Sequence, residues 1–167
     1  MFKKILVAVD GSDHAQKAVA IAGNLAGRYD AELVVAHVQT GQPVPEGLRH
    51  MAEVEHLTGP RRTEPPHLGR LSIEIISKSD EAQLAAAVGA RLLERSVDAA
   101  RREGAMRVTP LELSGDAADA LLEAAKEHGV DLVVVGSRGF GAIGGLVMGS
   151  VSSKLAHGLE VPCLTVK

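Results

Sequence analysis

The sequence predicts an α/β fold, a doubly wound five-stranded parallel sheet in the order 3-2-1-4-5 with helices on both faces. Apolar runs of strand length alternate along the chain with segments of helical periodicity. The runs at residues 5–9 and 130–135 lack polar alternation, which is typical of central parallel strands buried on both faces. Pro110 interrupts the run at 106–113 and places it at an edge, because proline cannot donate a ladder hydrogen bond.

The first strand–helix–strand unit occupies residues 5–38. Its opening strand ends in Asp10-Gly11-Ser12, a turn in which Ser12 suits the N-cap of the following helix. Apolar side chains then recur at helical spacing up to Tyr29, and a second apolar run follows at 33–38. Together they predict a right-handed βαβ unit.

Residues 41–80 are rich in proline and glycine, and we interpret them as an insert within a single domain of residues 1–167. A short amphipathic helix at 46–57 is consistent with the pattern of this insert. Its later part is expected to be either a packed segment or a short extra strand, formed by Leu71, Ile73, Ile75 and Ile76.

Regular structure is expected to resume at Glu81, in a long helix that ends near Gly104. A strand at 106–113, a helix at 116–128 stopped by Gly129 and the strand at 130–135 follow. The remaining elements are a short helix from Ser150, stopped by Gly158, and a last strand at 161–166.

The segment 136–157 joins the end of a strand, a glycine-rich loop and the start of a helix. Glycines without a Cβ let backbone N–H groups approach an anion closely, and a helix N-terminus adds unpaired N–H groups and partial positive charge. Ser150 is expected at the N-cap of this helix. The loop contains no GxxxxGK[ST] sequence and does not follow the first strand, so it is neither a P-loop nor a dinucleotide fingerprint. It is a phosphate cradle or a surface loop without a ligand.

Asp10 ends the first predicted strand, and Gly136 ends the fourth. The predicted strand order places a topological switch between these strands, and ligands of open α/β sheets bind beside such a switch. Asp10 has three interpretations: it contacts phosphates through a Mg²⁺ or Mn²⁺ ion, it faces a ribose hydroxyl or base edge, or it caps the first helix. Arg138, within the loop, either approaches phosphate oxygens or lies in solvent.

Composition argues against several classes of protein. A net charge of -3 without a dense basic stripe, together with 2% aromatic residues, gives no case for nucleic-acid binding. No stretch approaches the roughly 18 apolar residues that span a bilayer, so no membrane association is expected. A single cysteine, Cys163, fits a reducing compartment, and the first apolar run is too short for a signal peptide. We therefore expect a cytoplasmic protein.

The spacing of Gly136, Gly139, Gly149 and Ser150 matches G-2x-G-9x-G-[ST], the signature of the universal stress protein family. The ending GSVSSKLAHGLEVPCLTVK resembles the C-terminus of that family, and KKILVAVDGSDHAQKAVAIAGNLA and LVVAHV extend the resemblance toward the N-terminus. The chain departs from the family at 41–80, which is longer and richer in proline than usual. The resemblance implies an adenine nucleotide alpha hydrolase-like fold and, through the intact glycine motif, the ATP-binding subgroup.

The resemblance also implies a set of binding residues. ATP, or another adenine nucleotide, is expected with Mg or Mn at Asp10, and with the backbone of Val38 against the adenine ring. The expected phosphate-binding residues are Gly136, Gly139, Gly149, Ser150, Val151 and Ser152, with the terminal phosphates at the last three. Arg138 is added to this set because of its place in the loop and not through the resemblance. Family members usually dimerise through their last strands, which implies a homodimer through the edge strand from Leu164 to Lys167.

These observations favour an ATP-binding regulatory protein of the stress response. The alternative is a nucleotide-independent module of the same fold that uses the insert to bind a protein or a small ligand. No set of side chains with catalytic spacing is apparent in the sequence, so at most a slow ATPase is expected.

Overall fold

The computed structural model of the protein describes residues 1–57, 70–140 and 148–167, without the side chains of 70–79. Strands and helices alternate along these residues, except that two helices follow one another between the second and third strands. The elements are β1 Lys4–Ala8, α1 Asp13–Tyr29, β2 Glu32–Gln39, α2 Glu46–Val54, α3 Arg70–Arg102, β3 Arg107–Ser114, α4 Ala117–Glu127, β4 Leu132–Gly136, α5 Ser150–Gly158 and β5 Cys163–Val166.

The five strands form one parallel sheet in the order β3-β2-β1-β4-β5, which confirms the predicted fold class and strand order. β1 lies at the centre, paired with β2 from Lys4 to Ala8 and with β4 from Ile5 to Val7. β3 is an edge strand, as Pro110 predicts, and pairs with β2 along its whole length.

Helices cover both faces of the sheet. One apolar cluster joins α1 and α3 to the sheet, with Val19, Ala22 and Leu93 among its buried members. The cluster on the opposite face joins α4 and α5 to the sheet and includes Leu121 and the fully buried Leu155. This arrangement explains the unbroken apolar runs of β1 and β4, because both faces of these strands are covered and neither is exposed to solvent.

The residues predicted to begin or end α1 and α4 are confirmed, and those predicted for α5 are wrong. Ser12 caps α1, accepting a hydrogen bond from Ala15 N at 3.3 Å, and Gly129 follows α4 with a φ of +59°. The N-cap of α5 is Gly149 in extended backbone, so Ser150 is the first helical residue rather than the cap. Gly158 does not stop α5 but is its last residue, followed by Leu159 as the C-cap.

The region after β2 is largely helical where the structure describes it. The short amphipathic helix is confirmed as α2. The expected start of the next helix at Glu81 is wrong, because α3 begins at Arg70. The extra-strand alternative for residues 71–76 is therefore wrong as well, while residues 58–69 of the predicted insert lie outside the described part. A third apolar cluster packs α2 against α3, with Val44, Leu48, Ala52, Val88 and Leu92 buried in it.

Two carboxylates reinforce the contact between α2 and α3. Glu81 accepts hydrogen bonds from Val44 N at 2.8 Å and from the Arg49 guanidinium at 2.5 Å. Glu55, at the end of α2, pairs with Arg91 at 2.6 Å and with Arg95. The Val44 N–H, followed by Arg49, holds the pKa of Glu81 below its ordinary value, and Arg91 does the same for the pKa of Glu55.

The lowered pKa of Glu81 predicts a pH-dependent contribution to stability. A carboxylate with a lowered folded-state pKa stabilises the fold above its ordinary value of 4.5, and this stability is lost as pH falls through the folded pKa. We expect Glu81→Gln to lower the free energy of unfolding by about 1 kcal/mol at pH 7. The difference should become progressively smaller as pH falls below the ordinary pKa of 4.5. Urea unfolding of both proteins between pH 3 and 7 measures the difference. Glu94→Gln, which removes an ion pair to Arg91 within α3, is the control and should change stability by at most about 0.5 kcal/mol; a constant deficit for Glu81→Gln at every pH would contradict the prediction.

Candidate functional site

The carboxyl ends of β1 and β4 meet at one edge of the sheet, where the chain leaves β1 for α1 and leaves β4 for the glycine-rich loop. Ser12 Oγ donates a hydrogen bond to the carbonyl oxygen of Arg138 at 3.3 Å, so the two connections are in direct contact. Strand order reverses between β1 and β4, which makes this crevice the topological switch of the sheet. The predicted convergence of these two distant segments is confirmed.

Asp10 belongs to the connection between β1 and α1 and faces the glycine-rich loop. Its Oδ1 accepts a hydrogen bond from Ser12 N at 2.9 Å, which orders the turn before α1. Its Oδ2 faces Gly139 so closely that a Cβ placed on Gly139 would collide with it. Ser12 is the N-cap of α1, so the capping role considered for Asp10 belongs to Ser12. Asp10 thus has one oxygen in the turn and the other directed at the glycine-rich loop.

Gly136 permits the first turn of α1 to pack against the end of β4. A Cβ on Gly136 would lie 2.9 Å from the carbonyl carbon of His14 and 3.0 Å from Ala15 N. Separations this short between a Cβ and backbone atoms require one element to move. Gly136 therefore acts through packing, and it sets how closely the Asp10 turn approaches the glycine-rich loop.

Two buried serines, which the sequence did not single out for this role, join the ends of the loop. Ser137 N donates to Val166 O at 2.6 Å, while Ser137 O accepts from Gly149 N at 2.7 Å and from Ser152 Oγ at 3.1 Å. Ser137 and Ser152 are 1% and 2% exposed. The hydroxyl of Ser152 thus serves the loop itself, which leaves its backbone N–H as the group that could meet a phosphate.

The start of α5 has three backbone N–H groups that the helix itself does not use. The first hydrogen bond of the helix runs from Ser153 N to Gly149 O at 3.0 Å, so the N–H groups of Ser150, Val151 and Ser152 have no acceptor within the helix. Ser150 is exposed, and Val151 is half-buried against the α4–α5 cluster. A Cβ on Gly149 would find only ordinary contacts, the nearest being Ser137 O at 3.4 Å. The start of the helix thus has backbone donors of the kind that bind anions.

Val38 and Arg138 complete the predicted set. Ala8 and Ala36 form the last residue pair between β1 and β2. Asp10 and Val38 each lie two residues beyond this pair, so both are at the carboxyl ends of these neighbouring strands. The Val38 side chain packs against the α4–α5 cluster, which leaves its backbone as the part near the crevice. Arg138 is half-buried, and none of the ion pairs among the described residues involves its guanidinium.

The described residues contain no cluster of three or more His, Cys, Asp or Glu side chains able to hold a metal ion on their own. Burial raises the pKa of the Cys163 thiol, which keeps it protonated at neutral pH and argues against a nucleophilic role. None of the helices in the described part of the chain is long and apolar enough to cross a membrane. The described part of the crevice thus offers backbone donors and the Asp10 carboxylate.

Fold and crevice define a Rossmann-like α/β protein whose candidate ligand site lies at the switch point of a parallel sheet. A sequence model of the universal stress protein family matches residues 1–167. The chain belongs to the universal stress protein family. It is 34% identical over 171 residues to a universal stress protein of Thermus aquaticus encoded in the QAH/OAS sulfhydrylase 3' region, and 32% identical over 167 residues to YxiE of Bacillus subtilis, with all of each chain covered.

Solved structures share the fold. UspA from Lactobacillus plantarum superposes with a TM-score of 0.70 at 21% identity, covering 99% of this chain and 97% of that one. A universal stress protein in complex with cAMP gives 0.66 at 24% identity, with 99% and 97% covered. The Archaeoglobus fulgidus protein in complex with dAMP gives 0.60 at 23% identity, with 99% and 98% covered.

Proposed function

We propose that this protein is an ATP-binding universal stress protein, a regulatory module that binds an adenine nucleotide in the crevice between β1 and β4. The observation that carries the proposal is the convergence of Asp10, Gly139 and the first N–H groups of α5 on one crevice. The N-terminus of a helix favours an anion, because its N–H groups and its dipole are directed at the ligand. Glycines beside it let a phosphate group approach these N–H groups closely. The universal stress proteins solved with cAMP and dAMP support an adenine nucleotide as the ligand class.

The proposal assigns each part of the nucleotide to a part of the crevice. Phosphates bind to the backbone of the loop from Gly136 to Gly139 and to the N–H groups of residues 150–152, with Arg138 contributing charge. The adenine ring lies against the backbone of Val38. A Mg²⁺ or Mn²⁺ ion fits between phosphate oxygens and Asp10, because one carboxylate with several waters is the usual protein share of a nucleotide-bound Mg²⁺.

Residues 1–167 act as one domain, in which the insert at 41–80 supplies α2 and the beginning of α3. β5 pairs with β4 on one side only within the described sheet, so its outer edge suits a homodimer formed by the strand from Leu164 to Lys167. We propose a cytoplasmic protein that signals by nucleotide occupancy rather than by turnover.

Isothermal titration of the wild type with ATP, AMP and cAMP, each with and without Mg²⁺, tests the nucleotide proposal. We expect Asp10→Asn to weaken binding of ATP with Mg²⁺ by about tenfold, because a charged ligand of the metal becomes a neutral amide. The matched control is Asp13→Asn, since Asp13 is exposed in the first turn of α1 and undergoes the same change of charge. The affinity of the Asp13→Asn protein for ATP with Mg²⁺ should stay within about twofold of the wild type.

The Mg²⁺ dependence separates the two roles considered for Asp10. If Asp10 acts through the metal, the loss in Asp10→Asn disappears when Mg²⁺ is omitted. If it faces the ribose or the base, the loss persists without Mg²⁺. A wild-type protein that binds none of the three nucleotides overturns the proposal.

A further inference from the structure

The helix α2, which the insert contributes, contacts both connections that form the crevice. Its side chain Leu48 lies beside Gly11, the residue that follows Asp10, and its Gly47 lies beside the ring of Phe140, the residue that follows Gly139. We propose that α2 is the outer wall of the nucleotide crevice and that its attachment to α3 through Arg49 and Glu81 controls nucleotide affinity, an inference that rests on the function proposed above.

Gly11 links α2 to Asp10. Its φ of +88° is a left-handed conformation that suits glycine, and a Cβ there would lie 2.9 Å from Leu92 Cδ2 and 3.0 Å from Leu48 Cδ2. The backbone just after Asp10 is therefore held between α2 and α3. A displacement of Leu48 would open space beside Gly11 and release the turn that directs the Asp10 carboxylate at Gly139.

Phe140 links α2 to the glycine-rich loop. One edge of its ring would lie 3.3 Å from a Cβ on Gly11, and the other 3.7 Å from a Cβ on Gly47. The ring thus fits between two residues that have no side chains, and it is 45% exposed. Because Gly139 lies against Asp10, the contact between Phe140 and α2 positions the same part of the loop that would meet the phosphates.

Arg49 and Glu81 hold the start of α2 in this position. The Glu81 carboxylate accepts from Val44 N and from the Arg49 guanidinium, and Arg49 Nε donates to Val44 O at 3.0 Å. The segment before α2 is therefore bound through both its N–H and its carbonyl. Val44 and Leu48 are buried by the same contact, at 7% and 8% exposure, so the polar and apolar contacts form together.

The consequence is a reciprocal coupling. If nucleotide affinity depends on the seating of α2, bound nucleotide must stabilise the seated helix by the same free energy. Arg49 and Glu81 are then positioning residues, which act on the ligand through Gly11 and Phe140 and not by direct contact. Conditions or partners that displace α2 would lower nucleotide occupancy.

The affinity test compares Arg49→Met with Arg107→Met by titration with ATP and Mg²⁺. Arg107 also pairs with a carboxylate, that of Asp30. This pair lies at the amino-terminal ends of the strands, whereas the crevice lies at their carboxyl ends. We expect Arg49→Met to bind about five- to tenfold more weakly, at the lower end of the usual range of coupling between sites, and Arg107→Met to stay within about twofold of the wild type. Glu81→Gln is a second variant of the same attachment and should show the same direction, so the test does not depend on one substitution folding well.

A spectroscopic readout distinguishes positioning from a general loss of stability. The chain contains no tryptophan, so Phe140→Trp makes a single reporter at the contact with α2. We expect its emission to shift to longer wavelength when Arg49→Met is added to Phe140→Trp, under conditions where urea unfolding shows both proteins folded. Adding Arg107→Met instead should leave the emission unchanged.

The outcomes separate this inference from the proposed function. A wild type that binds ATP, with Arg49→Met and Glu81→Gln binding equally well, overturns the control by α2 and leaves nucleotide binding intact. A wild type that binds no nucleotide overturns the proposed function, and the tryptophan emission then still reports whether α2 positions the loop. An unchanged emission in the Arg49→Met background overturns the link through Phe140.

Discussion

Gly136→Ala is expected to destabilise the fold and to weaken nucleotide binding in a single step. The added Cβ would lie 2.9 Å from the carbonyl carbon of His14 and 3.0 Å from Ala15 N, and these backbone atoms cannot rotate away. Either β4 or the first turn of α1 must shift. Overpacking of this kind costs about 1–3 kcal/mol. Since the Asp10 turn and Ser12 lead directly into α1, the same shift separates Asp10 from the loop. We expect at least a tenfold loss of affinity, about 1.4 kcal/mol.

Urea unfolding and ATP titration of Gly136→Ala measure the two effects. The stability control is Gly149→Ser in the same loop, where the nearest atom to the new Cβ is Ser137 O at an ordinary 3.4 Å. Serine is also well suited to the N-cap position that Gly149 occupies, so its stability should stay within about 0.5 kcal/mol of the wild type. A Gly136→Ala protein as stable as Gly149→Ser would show that the contact with α1 relaxes without cost.

The fold was predictable because its signals are local and repeated. The unbroken apolar runs of β1 and β4 identify central strands, and Pro110 identifies an edge, so the strand order followed from few alternatives. The start of α3 was missed because Ile73 and Ile75 are spaced two apart, which imitates the period of a strand. The N-cap of α5 was assigned to Ser150 because serine has the stronger capping preference, whereas Gly149 has the extended backbone.

The crevice was predictable only where topology determined it. The strand order brings Asp10 and Gly136 to one edge, and no further information was needed for that step. The bonds of Ser137 to Val166, Gly149 and Ser152 depend on tertiary contacts among segments that no local pattern connects. The position of α2 beside Gly11 and Phe140 likewise depends on packing between the insert and the sheet edge, which periodicity does not specify.

The second large effect is expected for Gly27→Ala, where helix propensity and packing predict opposite signs. Alanine in a helix interior is favoured over glycine by about 1 kcal/mol, so propensity alone predicts a more stable protein. The structure predicts the reverse, because a Cβ on Gly27 would lie 2.5 Å from Gly104 O and 2.8 Å from its carbonyl carbon. Gly23 lies four residues earlier on the same face of α1, and a Cβ on it would lie 2.7 Å from Ala100 O. α1 thus packs against the end of α3 backbone to backbone.

We expect Gly27→Ala to lower the free energy of unfolding by about 1–2 kcal/mol, since the overlap with fixed backbone exceeds the gain in propensity. Gly47→Ala in α2 is the matched control, because the nearest atom to its Cβ position is the Phe140 ring at 3.7 Å, an ordinary contact. The stability of Gly47→Ala should be unchanged or higher by about 0.3 kcal/mol, less than the gain in a helix interior because Gly47 lies in the first turn of α2. Urea unfolding of the three proteins measures the signs. If both variants are stabilised, α1 moves away from Gly104 at negligible cost, and the glycines of α1 are not required for its packing on α3.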